Sequence, residues 1–73
     1  MYMYVEVTYN GHVYVGKSEH SSQPIRELAH DWSNKFTNMV DKLILPLEDG
    51  SFLIIGKEAL EKCIVRIVPN LND

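Results

Sequence analysis

A chain of 73 residues is one domain, and at this size folding buries only about 60% of the surface the unfolded chain exposes, so the core is thin. With 45% hydrophobic and 23% charged residues the composition is that of a globular protein, which excludes disorder. The net charge is −3 and the seven Lys and Arg are scattered, so the clustered cations that nucleic-acid phosphates require are missing and nucleic acid is an unfavoured partner.

Residues 1–9 alternate, with Met1, Met3, Val5 and Val7 on one side and Tyr2, Tyr4, Glu6 and Thr8 on the other. Period two marks a half-buried strand. Asn10-Gly11 is a turn and a second strand follows over 13–17, giving a hairpin over 1–17. A three-residue loop with Gly11 in the left-handed position would pair Val7 with Val13 and Val5 with Val15, putting every valine on one face. That is the expected register. It leaves Tyr2, Tyr4 and Tyr14 as one stripe on the far face, beside His12.

Residues 18–23 are polar loop. Pro24 suits a first helical turn, with Ser21 or Ser22 as cap. The spacing of Ile25, Leu28, Ala29, Trp32, Phe36, Met39 and Val40 predicts an amphipathic helix over 24–40. A second hairpin is expected over 43–55, two apolar strands around Glu48-Asp49-Gly50 with Gly50 in a bulge position. Its outward set should include Ile44, Phe52 and Ile54. Strong helix formers predict a short helix over 57–62, and 64–68 reads as a final strand before Pro69 and a frayed tail over 69–73. The fold class is therefore α+β: a small single domain, β-β-α-β-β-(short helix)-β, with antiparallel-rich sheet and one main amphipathic helix on one face. Strand order stays open, since the helix could carry the chain across the first hairpin and set the third strand beside the first.

No apolar run approaches the ~20 residues of a membrane span, so no membrane partner is expected. The start of the chain lacks a basic segment followed by an apolar one, and a lone Cys63 allows no internal disulfide and fits a reducing compartment. Together these predict a cytoplasmic protein.

Chemistry is weakly signalled. His12, His20 and His30 are eight and ten residues apart, matching no compact metal-ligand pattern, so no metal or cofactor is expected. Cys63 or a serine could meet a histidine on paper, but no nucleophile elbow or glycine-rich oxyanion segment accompanies them. The chain reads as a non-enzyme.

One helix cannot cover both faces of two hairpins. Exposed aromatic and aliphatic side chains on a small soluble protein mark an interaction surface, unless the hairpins curl over each other and bury them. The expected interface residues are Tyr2, Tyr4, His12, Tyr14, Ile44, Phe52 and Ile54. The function that follows is a protein-binding module: a regulator, adaptor or inhibitor that occupies a partner protein, a second copy of itself, or both. Small acidic chains of phage and mobile-element type work this way, and a homodimer is the commonest assembly. The competing reading is an oligomer that binds a small, nucleotide-like molecule between subunits.

Overall fold

The computed structural model describes residues 1–38 and 42–70. The chain runs β1 (Tyr2–Tyr9), β2 (His12–Val15), β3 (Glu19–His20), α1 (Ile25–Asn38), β4 (Lys42–Pro46), β5 (Phe52–Gly56), α2 (Lys57–Leu60) and β6 (Ile64–Pro69). This is the expected α+β order with a two-residue strand, β3, added. The predicted helix end at Met39 and Val40, the side chain of Phe36 and residues 71–73 lie outside the described residues. Of the tail expected to fray, Pro69 and Asn70 are held in place. Pro69 pairs with Met3, and the Asn70 N–H donates to the Tyr2 carbonyl at 2.9 Å.

β1 is the centre of the first sheet. β2 and β3 share one of its edges, and β6 runs antiparallel along the other from Met3↔Pro69 to Thr8↔Ile64. The strand beside β1 is thus β6, where β4 had been an option. Alternation in β1 works as read: Met3, Val5 and Val7 are buried on one face.

The first hairpin departs from the expected register. Its loop has two residues, with Asn10 at φ 55° and Gly11 at φ 82°, and it pairs Val7 with Tyr14 and Thr8 with Val13. A two-residue loop with both residues left-handed matches the twist of the flanking strands, and Asn-Gly is the sequence that adopts it most readily. Local turn chemistry outweighs the valine pattern, leaving Val13 57% exposed. Tyr14 takes the inward position and packs on the core.

Register is then reset at Gly16. Met3 pairs with Glu19 but Glu6 pairs with Val15, so this strand carries one residue more than β1 across the same span, a β-bulge. Gly16 donates to the Val5 carbonyl at 2.7 Å; a Cβ on Gly16 would lie 2.7 Å from that same oxygen. The bulge turns the chain toward β4. Lys17 N–H donates to the Pro46 carbonyl at 2.9 Å and Glu48 N–H to the Val15 carbonyl at 3.1 Å. These bonds form a seam between the first sheet and the β4–β5 ribbon.

The ribbon pairs Leu43↔Ile55, Ile44↔Ile54, Leu45↔Leu53 and Pro46↔Phe52. Gly50, at φ 90°, holds the left-handed position of its turn. Leu43, Leu45 and Ile55 point inward and meet Met3, Val5 and Val7 in one buried cluster, with Ile25, Leu28 and Trp32 of α1 and Ala59 and Leu60 of α2 packed around it. So α1 does not roof the sheet alone. It lies toward β6, and the ribbon, seamed to the opposite edge, completes the layer.

Candidate functional site

The seven predicted interface residues occupy three places. Tyr2 and Tyr4 lie on the uncovered face of the first sheet. Tyr14 and His12 alternate with Val13 and share the other face with Val7 and Tyr9, so the tyrosine stripe is not continuous. The physical reason is the one-residue change of register in the first hairpin, which flips every side chain of β2. Ile44, Phe52 and Ile54 form the third group, on the outer face of the ribbon.

The uncovered sheet face is mixed. Tyr2 stacks edge-on against His20, with ring centroids 5.2 Å apart. In its middle row Arg66 Nη1 meets Glu6 Oε1 at 3.2 Å. Val13 and Ile64 flank Thr8 at the far end, separated from the tyrosines by that ion pair. Val68 sits beside Tyr4 and Val15 beside Glu6 on the same face, so the Glu6–Arg66 pair and Thr8 break an otherwise apolar surface.

The ribbon face is different. Ile44 and Ile54 are direct cross-strand partners, and Phe52 is two residues along the same strand opposite Pro46. They are 53%, 65% and 66% exposed. Among the described residues no polar side chain comes between these three; charge stands at the ends, with Lys42 paired to Gly56 at one and Glu48 and Asp49 in the turn at the other, and along the β4 side, where Lys17, Glu19 and Lys35 line a cleft with Ile44 and Pro46. Among the described residues no strand pairs with the outer edge of β5. Its sequence FLIIG holds neither charge nor proline, the residues that usually protect an open edge.

Asp49 fixes the turn. Its carboxylate accepts hydrogen bonds from the Ser51 hydroxyl and the Ser51 N–H. These bonds, the hydroxyl's first, hold the carboxyl below its ordinary 3.8.

Elsewhere the chemistry is quiet. His20 Nε2 lies 3.2 Å from the Met1 amine, His12 is beside Tyr14, and His30 is on the exposed side of α1. No three His, Cys, Asp or Glu side chains come together as a metal site among the described residues. Cys63 donates to the Leu60 carbonyl at 3.3 Å, and burial pushes its thiol up, which disfavours the thiolate. A cleft of about 220 Å³ between the layers is lined by Val7, Tyr9, Tyr14, Leu53, Ile54, Ile55 and Ala59, below the ~300–1,000 Å³ of typical ligand pockets; a surface depression of about 460 Å³ lies beside Tyr9, Gly56, Lys57 and Lys62. No helix among the described residues is long and apolar enough to cross a membrane.

No family model, curated protein or solved structure matches this chain.

Proposed function

We propose that this protein is a non-enzymatic binding module that docks another polypeptide on the outer face of the β4–β5 ribbon. One observation carries the reading: Ile44, Phe52 and Ile54 stand together on one face, each more than half exposed, while the opposite face of the same ribbon closes the core. The ribbon is thus held rigid from behind and presents its apolar face outward. Aromatic and aliphatic anchors on a rigid element are the usual centre of a protein interface. Such a module regulates or inhibits by occupying its partner.

The test is photocrosslinking in cells that express the whole chain. Benzoylphenylalanine at position 52 should give adducts with a discrete polypeptide, and the same group at the exposed helix position Glu27 should not. Absence of adducts at 52, or equal labelling at both positions, overturns the proposal.

A further inference from the structure

We infer that the polypeptide fitting this face is a second copy of the chain, packed ribbon on ribbon about a two-fold axis that crosses the strands at the level of Ile44 and Ile54. This rests on the docking reading above and adds the identity and orientation of the occupant. The ribbon's two ends are complementary to each other. One end carries Lys42 and the other Glu48, both exposed. A two-fold across the strands reverses their direction and, centred on Ile44, sets each Lys42 over the partner copy's Pro46, with the acidic turn that begins at Glu48 two residues beyond, twice by symmetry. Bulk follows the same rule. Phe52 projects at the turn end, and Gly56 at the other end would have nothing within 4 Å of an added Cβ. Reversal lays each Phe52 over the glycine of the other copy, with Ile44 and Ile54 between. An axis along the strands would instead bring acidic turn against acidic turn and Phe52 against Pro46.

The area sets the strength. Three side chains exposed by one half to two thirds offer on the order of 300–400 Å²; a standard interface uses ~800 Å² per partner. With the ribbon's rim added, the pair should be weak and concentration-dependent.

Sedimentation equilibrium from about 5 μM to 1 mM tests this, alongside variants. Gly56→Leu has room within its own protomer, so it should fold with an unchanged circular dichroism spectrum yet weaken association at least ~30-fold by colliding with Phe52. Lys42→Glu should weaken it about tenfold, and adding Glu48→Lys to that variant should restore it. A zero-length carbodiimide should join Lys42 of a ¹⁵N-labelled chain to Glu48 of an unlabelled one; within one chain they stand about 20 Å apart along the strand and cannot be joined. A protein that stays monomeric at 1 mM overturns the second copy, and if position 52 still crosslinks a different polypeptide the docking reading survives. A dimer indifferent to Gly56→Leu and Lys42→Glu, or one that the charge swap fails to rescue, overturns this arrangement.

Discussion

The two hairpins start from similar material and end with different outer surfaces. Each gives one apolar face to the same core, Met3, Val5 and Val7 from the first and Leu43, Leu45 and Ile55 from the second. The first mixes its other face: Glu6 with Arg66, Thr8, and Tyr2 against His20 suit water, while Val13 stands exposed beside them. β1 also has both edges paired. The second keeps Ile44, Phe52 and Ile54 outside, and among the described residues no strand covers the outer edge of β5. Folding accounts for most of the first hairpin's composition, Val13 apart. It accounts for only half of the second's, and the other half is where function is to be sought.

The largest effect that separates the two faces of the ribbon comes from paired substitutions. Leu45→Ala should lower unfolding free energy by ~3 kcal/mol, since it opens a cavity against β1. Ile54→Ser, one face over, should change monomer stability by less than ~1 kcal/mol. Chemical denaturation at a concentration low enough to avoid association measures both. Equal losses would mean that the outer face is part of the core, and the contrast would fail.

Next is the seam. Gly16→Ala places a methyl 2.7 Å from the Val5 carbonyl, and the obstacle is backbone, which cannot swing aside. A loss of about 2 kcal/mol is expected. Amide exchange should accelerate at Lys17 and Glu48, whose N–H groups bond across the seam. Amides as protected as in the parent at both positions would show that the seam survives the methyl and does not depend on Gly16.

The turn of the second hairpin gives a smaller, pH-dependent effect. The Asp49 carboxyl is held below its ordinary 3.8 by the Ser51 hydroxyl and N–H, so the folded state binds fewer protons than the unfolded one there. Its contribution is complete at neutral pH, begins to fade as pH approaches 3.8, and is lost as pH falls through the lowered native value. Asp49→Ala should be less stable than the parent at pH 7 and should converge with it near pH 2. A difference that stays constant from pH 7 to pH 2 would remove the carboxylate as its cause.

Much of the fold is legible in the sequence. Strict alternation in 1–9, the helical spacing from Ile25 to Trp32 and the Glu48-Asp49-Gly50 turn are local signals, and each specifies its element alone. The outward set Ile44, Phe52, Ile54 could be named because strand parity plus one turn fixes which residues share a face. Tyr14 was misplaced because two local signals competed at Asn10-Gly11, and only the bulge at Gly16, a non-local feature, lets the tighter turn win without shifting the rest of the edge. That β6 completes the first sheet depends on contacts some sixty residues apart in sequence, which no short-range pattern encodes.

The smallest effect tests the uncovered sheet face, the rival to the ribbon. Arg66 meets Glu6 at 3.2 Å, but the arginine side chain is 64% exposed, and a solvated pair of this kind contributes ~0.5 kcal/mol or less. Arg66→Ala should therefore leave stability within that margin and leave self-association unchanged, because the pair lies on the opposite side of the core from Phe52. Sedimentation equilibrium beside thermal unfolding reads both. If removing Arg66 alters association more than Gly56→Leu does, the docking surface is the Tyr2–Tyr4 face, where an ion pair in the middle row would be part of the contact.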